Sequence, residues 1–337
     1  MKTISIILAG GKGERFWPIS RRNKPKQLLD IFTGKPLILE AYERAKKIGE
    51  VFIITTKDIE EPIRELTNDD NIISEPTTKN TAPAIYYAIN EIKNLRDEDI
   101  IVIQTADHII GNIPTFMKNI NLGIEVAKKD YIVVFGIVPN RPETGFGYIE
   151  ISGEVYKNVY KVIKFHEKPS IEKAMEYISK GNFYWNSGMF IFKKSVILDA
   201  YETYAKDIVL AYRRSRNIQE FYHVVNNISI DHAIMEKVRN LALIRAEFYW
   251  EDAGSYISLE SLFKKDENGN IVIGDAVLID VKNCIIISKD GICAVYGIEN
   301  SIIVKTFDST LVIPKSKAQN VKEIVELLKK LKLDKYL

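Results

Sequence analysis

The sequence of 337 residues has little that would tie it to a membrane, to nucleic acid or to a disulfide framework. Cys284 and Cys293 are its two cysteines, and without nearby histidines they predict buried thiols rather than a zinc site or a disulfide scaffold. No run approaches the roughly 18 apolar residues of a membrane span, and no signal-peptide pattern precedes the first motif. A net charge of +2 gives no basic field for nucleic acid. We therefore expect a cytoplasmic protein that binds neither membrane nor nucleic acid.

What the sequence has instead is alternating strand-like and helix-like patterns. A β-branched run over residues 3–7 and an apolar run over 51–54 flank a helical stripe, and this spacing predicts a βαβ unit with a parallel sheet. Similar runs over residues 99–104 and 131–137 extend the pattern, and mixed strands and helices follow Gly145. We predict an α/β fold with a doubly wound, mixed sheet, whose ligands lie beyond the carboxyl ends of the strands.

The last part of the sequence has a different texture. Short β runs fill residues 271–313, and residues 271–276 resemble one coil of a left-handed β-helix. Ser316 and Gln319 fit a capping box that would begin a terminal helix, whose apolar stripe needs a partner in this chain or in a second subunit. We predict two domains, 1–265 and 266–337, and a homodimer.

The most informative stretch is the glycine-rich loop that follows the first strand. Gly10, Gly11 and Gly13 would let backbone N–H groups converge on an anion. Five cations crowd the same loop: Arg15, Arg21, Arg22, Lys24 and Lys26. The patterns of a dinucleotide fold and of a Walker loop are both missing, whereas a plain glycine turn with a solvated basic face fits the local pattern equally well. The loop predicts a polyanionic ligand.

Two further stretches place polar groups at predicted strand ends. In residues 75–84, Asn80 or Thr81 would cap a helix and leave free N–H groups and a polar loop beside the crevice. Asp107 follows a predicted strand, where hard oxygen ligands for Mg²⁺ are useful. A plain helix start and a loop aspartate are the alternatives that do not involve function.

Three more groups suit a phosphorylated sugar. Glu167 could accept from sugar hydroxyls and Lys168 could face a phosphate, although Glu-Lys-Pro is also an ordinary exposed turn. Asn186 offers a donor and an acceptor to a hexose, and a nearby glycine allows close approach of the backbone. Gly145 could contact the sugar or simply begin a strand. Ser229 and Asp231 predict only a helix cap.

Taken in this order, the motifs resemble those of sugar-1-phosphate nucleotidyltransferases. Within this family the resemblance is to the branch that acts with GTP on mannose 1-phosphate, in its short form without an isomerase domain. It implies a Rossmann-like fold of nucleotidyltransferase type and transfer of GMP from GTP to α-D-mannose 1-phosphate, which gives GDP-mannose and pyrophosphate. Thr105, His166 and His232 depart from the residues that are commoner in the family.

The resemblance also implies residue roles. Nucleotide binding falls to Leu8, Ala9, Gly10, Gly11, Gly13, Glu75, Asn80, Thr81 and Ala82. Among these, Glu75 or Asn80 would accept the N–H donors of guanine. Sugar binding falls to Gly145, Glu167 and Asn186. The catalytic groups are Arg15, Lys26, Lys168 and Asp107, and the Mg²⁺ ligands are Asp107 and Asp252. Arg15 and Lys26 would stabilise the leaving pyrophosphate, and Lys168 would orient the attacking phosphate.

Other readings of the sequence stay open. A related nucleotidyltransferase could use another base or another hexose, and a sensor of nucleotide sugars could keep the fold without turnover. A glycosyltransferase of similar fold would need an Asp-x-Asp motif after a strand, where this sequence has Asp107-His108-Ile109.

Overall fold

A computed structural model describes residues 1–166 and 168–337. Its strands, in chain order, are β1 (Thr3–Leu8), β2 (Glu50–Thr56), β3 (Ile72–Glu75), β4 (Ile100–Thr105), β5 (His108–Ile110), β6 (Ile132–Ile137), β7 (Tyr148–Tyr156), β8 (Val159–His166), β9 (Phe183–Lys193), β10 (Leu241–Arg245), β11 (Trp250–Asp252), β12 (Ile271–Ile273), β13 (Ala276–Ile279), β14 (Ile285–Ser288), β15 (Cys293–Tyr296), β16 (Ser301–Lys305) and β17 (Thr310–Pro314). Its α-helices are α1 (Leu37–Ala45), α2 (Glu60–Thr67), α3 (Thr81–Glu91), α4 (Ile113–Ala127), α5 (Ile171–Lys180), α6 (Lys194–Tyr204), α7 (Lys206–Arg214), α8 (Ile218–Val224) and α9 (Val321–Lys330).

The described residues divide into two compact units, each built from several stretches of chain. The sheet unit comprises Met1–Gly10, Ala41–Ala106 and Ile110–Trp250. The β-helix unit comprises Gly11–Glu40, Asp107–Ile109 and Glu251–Leu337. Among the helices of the described residues, none is both long enough and apolar enough to cross a bilayer.

The sheet unit is organised around one mixed sheet with the strand order β3-β2-β1-β4-β9-β6-β10-β8-β7. β3, β2, β1 and β4 run parallel, and β9 then pairs antiparallel with both β4 and β6. The central strands are runs of buried β-branched residues, as expected for a sheet covered on both faces. The predicted mixed sheet is confirmed.

The carboxyl ends of the parallel strands gather the first candidate residues. The Ala9 N–H donates to the Ile54 carbonyl at 2.8 Å, and the Ala106 N–H donates to the Leu8 carbonyl at 3.0 Å. β3 ends at Glu75, in register with Thr56 of β2. Since parallel strands end at one edge, this edge of the sheet unit holds Leu8 to Gly10 and Glu75 together.

The β-helix unit stacks short parallel strands. Ile271 of β12 lies opposite Ile285 of β14, which lies opposite Ile302 of β16, and β13 pairs with β15 in the same direction. These isoleucines are fully buried and form one core with Phe16 and with Val321 of α9. The predicted β-helix-like segment is therefore present, and this chain covers most of the apolar stripe predicted for the terminal helix, whereas Leu331 at its end is 58% exposed. Both cysteines are free and buried, as predicted.

The predicted capping box at Ser316 is wrong. Residues Lys315–Asn320 form a 3₁₀ turn, and α9 begins at Val321 without a side-chain cap. The Lys315 ammonium lies 2.6 Å from Glu260 Oε1 and 2.7 Å from Asn283 Oδ1. These long-range bonds, together with burial of Ala318, hold the segment in a conformation that the local pattern did not predict.

Candidate active site

The glycine-rich loop of the β-helix unit is shaped by contact with Lys26. Gly13 has φ +64°, and a Cβ at this position would lie 2.6 Å from both the backbone nitrogen and the Cβ of Lys26. Only glycine fits such a conformation at such a distance. Ser20 Oγ donates to the Gly13 carbonyl at 2.8 Å, and buried Tyr256 donates to the Phe16 carbonyl at 2.7 Å. The loop is thus fixed from both sides.

Lys26 brings together three motifs that are far apart in the sequence. Its ammonium forms an ion pair with Asp107 Oδ2 and lies 4.0 Å from Asp252 Oδ1. It also donates to the Ala253 carbonyl at 3.3 Å. The Ala253 N–H donates to the Asp107 carbonyl at 3.1 Å, which ties the two carboxylate-bearing segments to each other. The side chains are 16 to 27% exposed, so the cluster is shielded but open to a ligand.

The charges of this cluster shift one another's proton affinity. Burial alone would lower the pKa of Lys26, but the carboxylates of Asp107 and Asp252 raise it above its usual value. Burial raises the pKa of Asp252 to about 6, against the opposing effect of Lys26. Arg15 is exposed, and its positive charge acts on both groups. The lysine is therefore a cation, and the Asp252 carboxyl loses its proton at a higher pH than an ordinary aspartate does.

The donor set fits a magnesium ion in chemical kind. Mg²⁺ prefers hard oxygen ligands and is usually held by one or two carboxylates together with phosphate oxygens of the substrate. Asp107 and Asp252 supply two such carboxylates. No cluster of three or more histidine, cysteine, aspartate or glutamate side chains suited to a metal occurs within residues 1–166 and 168–337. A dedicated all-protein metal cage is therefore not part of the described chain.

Arg21 does not join this cluster, although the sequence grouped it with the other loop cations. Its guanidinium pairs with Asp308 at 2.6 Å and donates to the Tyr336 carbonyl. Trp17 donates to the same carbonyl at 2.7 Å. Arg21 therefore anchors the loop to residues near the end of the chain, and its charge is already paired with Asp308.

In the sheet unit, Glu75 is a buried carboxyl with a neutral partner. It is 4% exposed, and Tyr222 of α8 donates to its Oε1 at 2.7 Å. Its Oε2 lies 3.0 Å from the position that a Cβ on Gly10 would occupy. Burial raises the pKa of Glu75 to about 7, and the hydrogen bond from Tyr222 opposes that rise.

The helix start after Glu75 differs from the prediction in one respect. Asn80 caps α3, as expected, by accepting the Thr81 N–H at 2.9 Å. The Ala82 N–H donates to the Ile228 carbonyl at 3.2 Å, and Thr81 Oγ1 accepts the Ile230 N–H at 2.8 Å. The N–H groups of Thr81 and Ala82 therefore have protein partners. This differs from the sequence analysis, which predicted free N–H groups at this helix start. The nucleotide-binding roles of Asn80, Thr81 and Ala82 stay predictions.

Two predicted sugar-binding residues are held by carboxylates. One N–H of Asn186 donates to Asp231 Oδ1 at 2.8 Å, and its carbonyl accepts the Gly188 N–H at 3.0 Å. The Gly145 N–H donates to Glu143 Oε1 at 2.9 Å. Each amide still has hydrogen-bonding capacity for a ligand, because Asn186 carries a second N–H and carbonyl oxygens accept two bonds.

The third sugar motif is described only in part. Glu167 lies outside the described residues, and Lys168 is exposed with φ +35°. His166, just before them, is hydrogen-bonded to Glu150 at 2.9 Å and to Tyr177 at 3.2 Å. The roles of Glu167 and Lys168 stay predictions.

Sequence reasoning missed Tyr222 and gave Asp231 only a cap. Ser229, the other predicted cap, does accept the His232 N–H at 3.3 Å, and Asp231 begins a π-helix, Asp231–Met235. The polar contacts of Tyr222 and Asp231 with Glu75 and Asn186 span 147 and 45 residues. No local pattern carries such a signal, although a π-helix frequently marks a functional site.

Comparison with known proteins identifies the class. The family described as "Nucleotidyl transferase" matches residues 4–269, and the family described as "MannoseP isomerase/GMP-like beta-helix domain" matches residues 274–328. The chain belongs to the nucleotidyl transferase family and is an enzyme of this class.

The relatives narrow the comparison further. A mannose-1-phosphate guanylyltransferase of Klebsiella pneumoniae is 36% identical over 99% of this chain and 75% of the relative, and one of Escherichia coli is 36% identical over 97% and 74%. A solved structure from Thermus thermophilus, described as a mannose-1-phosphate geranyltransferase, is 31% identical with a TM-score of 0.91 and covers 98% of this chain and all of that one. The resemblance drawn from the motifs is thus confirmed.

Proposed function

We propose that the protein transfers GMP from GTP to α-D-mannose 1-phosphate and releases GDP-mannose and pyrophosphate. The observation that carries the proposal is the cluster of Lys26, Asp107 and Asp252. It joins the glycine loop to two carboxylates, which is the charge pattern that a reaction between a nucleoside triphosphate and a phosphate requires. The guanylyltransferase names of the relatives support the choice of base and sugar.

The reaction balances without covalent chemistry on the protein. An oxygen of the sugar phosphate forms a bond to the α-phosphorus of GTP, and the bond from that phosphorus to the β-phosphate oxygen breaks. The attacking phosphate is already ionised near neutral pH, so it needs no general base. Positioning and neutralisation of charge carry such a step.

The residues of the β-helix unit would act on the phosphates. Lys26 and Arg15 would stabilise the negative charge that grows on the departing pyrophosphate, and the N–H groups of the loop at Gly11 and Gly13 would bind phosphate oxygens. Asp107 and Asp252 would hold Mg²⁺, which neutralises phosphate charge when it is bound.

The residues of the sheet unit would recognise the two organic groups. Leu8, Ala9, Gly10, Thr81 and Ala82 would lie against the nucleotide. Glu75, with Asn80 next along the chain, would select guanine by accepting its N1–H and N2–H donors. Asn186 and Gly145 would bind the hexose hydroxyls. Lys168 and Glu167 would hold the sugar phosphate, with Lys168 orienting the attacking oxygen.

The test is release of pyrophosphate by the purified protein with Mg²⁺, each of the four nucleoside triphosphates, and mannose or glucose 1-phosphate. We expect release with GTP and mannose 1-phosphate, and its loss in Asp107→Ala and in Asp107→Asn. Asp97→Asn is the control, because Asp97 is an exposed aspartate of the sheet unit. Preference for another pair would assign the chain to a sibling enzyme, and binding of nucleotide sugar without release would assign it to a sensor.

A further inference from the structure

One stretch of the sheet unit, residues 222–231, contacts both predicted recognition elements, and we name it the bridging segment. Its middle is fixed on the first turn of α3: the Ile228 carbonyl accepts the Ala82 N–H, and the Ile230 N–H donates to Thr81 Oγ1. Ile230 is 1% exposed. The segment is therefore anchored between its two ends, and each end carries one polar side chain directed at a candidate residue.

The first end holds Glu75. The Tyr222 hydroxyl donates to Glu75 Oε1 at 2.7 Å, and both side chains are buried. The Tyr222 ring packs edge-on against Phe221 and Tyr87, with ring centres 5.3 and 6.0 Å away. Because the ring is held, the hydroxyl position is fixed. On its other side the carboxyl approaches Gly10, where a Cβ would lie 3.0 Å from Oε2. Because Tyr222 occupies Oε1, Oε2 is the oxygen of Glu75 that remains available to a base.

The second end holds Asn186. Asp231 Oδ1 accepts an N–H of Asn186 at 2.8 Å, while the Asn186 carbonyl accepts the Gly188 N–H at 3.0 Å. A carboxylate can only accept and a backbone N–H can only donate, so the two partners fix the orientation of the amide. Without Asp231, the N–H end of the Asn186 amide would lose its acceptor, and only the Gly188 N–H would hold the side chain in place.

We propose that Tyr222 and Asp231 are positioning residues for substrate selection: Tyr222 orients Glu75 towards the base, and Asp231 orients Asn186 towards the hexose. The inference rests on the proposed function, which assigns guanine to Glu75 and the hexose to Asn186. It adds that both orientations are set from one anchored segment. Its consequence is that the two ends can be altered separately, each with an effect on one substrate.

The first experiment uses Tyr222→Phe, which removes the hydroxyl and keeps the packed ring. We expect the KM for GTP to rise about tenfold while the KM for mannose 1-phosphate stays unchanged, since a tenfold change corresponds to the loss of about 1.4 kcal/mol. We also expect discrimination between GTP and ITP, which lacks the 2-amino group, to fall by a similar factor. Unchanged GTP kinetics and unchanged discrimination would overturn the role of Tyr222.

The second experiment uses Asp231→Ala with Asp231→Asn as the conservative variant. We expect Asp231→Ala to raise the KM for mannose 1-phosphate about tenfold and to leave the KM for GTP unchanged. Asp231→Asn keeps a carbonyl oxygen that can accept from Asn186, so it should restore the sugar KM. Equal losses in both variants, or a change confined to kcat and thermal stability, would overturn the role of Asp231.

Glu75→Gln and Asn186→Ala, measured in parallel, separate failure of this inference from failure of the proposed roles. If these variants shift base preference and sugar KM but Tyr222→Phe and Asp231→Ala do not, only the positioning roles fail. If Glu75→Gln leaves base preference intact and Asn186→Ala leaves sugar KM intact, the assigned roles fail, and the positioning roles fail with them.

Discussion

Two carboxyl groups in this protein, one partly exposed and one buried, have partners of opposite kinds. Asp252 of the β-helix unit lies in a cluster with a cation, Lys26, and a second carboxylate, whereas Glu75 of the sheet unit has the neutral hydroxyl of Tyr222 as its partner. Burial raises the pKa of both, to about 6 for Asp252 and about 7 for Glu75.

The difference between the two sites reflects what each would bind. The cluster of Lys26, Asp107 and Asp252 has two carboxylates for one lysine, so it can take up a further cation, which suits the metal ion and polyphosphate proposed for it. A carboxyl paired with a phenol keeps a directional acceptor without a neighbouring cation, which suits the N–H donors of a base. The site around Asp252 therefore depends mainly on charge, and the site around Glu75 depends mainly on the geometry of a neutral hydrogen bond.

The largest effect should come from removing the cation of the charged cluster. We expect Lys26→Ala to lower kcat/KM by about 100- to 1000-fold, or about 3 to 4 kcal/mol of transition-state stabilisation, as for loss of a preorganised electrostatic group. Initial rates of pyrophosphate release measure it. Lys24→Ala is the matched control, since Lys24 is an exposed lysine of the same loop. Equal effects of Lys26→Ala and Lys24→Ala would show that the ion pairs of Lys26 add nothing to the general positive charge of the loop.

The pair of Glu75 and Tyr222, called the neutral pair below, should make the stability of the fold depend on pH. Because the folded protein raises the pKa of Glu75, this group stabilises the fold below about pH 4.5, and that contribution is lost as pH rises through about 7. The shift corresponds to about 3 kcal/mol. The free energy of unfolding of wild type relative to Glu75→Gln should fall by about this amount between about pH 4.5 and about pH 7.5 in urea titrations.

The control for this titration is Glu98→Gln at an exposed site. A difference between wild type and Glu75→Gln that does not vary with pH would mean that Glu75 has the same proton affinity in the folded and unfolded protein. Glu75 and Asp252 would then differ only in whether the partner of the carboxyl is charged.

A smaller effect separates anchoring cations from ligand-binding ones. Arg21→Ala should lower the free energy of unfolding by about 2 kcal/mol, because it leaves a half-buried Asp308 without its cationic partner. Arg22, 67% exposed and 3.9 Å from Asp334, should cost less than about 0.5 kcal/mol when changed to alanine. Denaturant titrations measure both, and similar values for the two variants would argue against a special anchor at Arg21.

The smallest effect concerns the helix that follows the neutral pair. Asn80→Ala should cost about 1 kcal/mol of stability through loss of the α3 cap. Asn80→Gly should cost less, because Asn80 has φ +69° and glycine adopts that conformation without strain. Thermal unfolding compares them. A larger loss for glycine than for alanine would show that the backbone, not the cap, governs this position.

Part of this arrangement could be predicted from the sequence. β-branched runs fixed the parallel strands, since their burial on both faces leaves a continuous apolar signal, and the motifs around Lys26, Asp107 and Asp252 pointed to one chemistry. The sequence also predicted the cap at Asn80, because an N-cap is a local hydrogen bond.

The remainder depends on partners far along the chain. Arg21 carries the same local signal as its neighbouring cations, and only Asp308, 287 residues later, distinguishes it. Tyr222 lies in an ordinary amphipathic pattern that says nothing of Glu75. The terminal helix begins later than its apparent capping box because Glu260 and Asn283 hold Lys315. Tertiary contacts decided each of these cases.

The hydrogen bonds that hold the glycine loop also determine when, during biosynthesis, the loop can reach its final form. The loop leaves the ribosome before the residues that hold it. The Phe16 carbonyl accepts a hydrogen bond from Tyr256, Arg21 donates to Asp308, and Trp17 donates to the carbonyl of Tyr336, 319 residues later. The sheet strands, in contrast, are complete once residue 245 has been translated. Contacts of such long sequence separation close late and slowly. The glycine-rich loop is therefore translated long before its partners, and it can reach its final form only after residue 336 has been added.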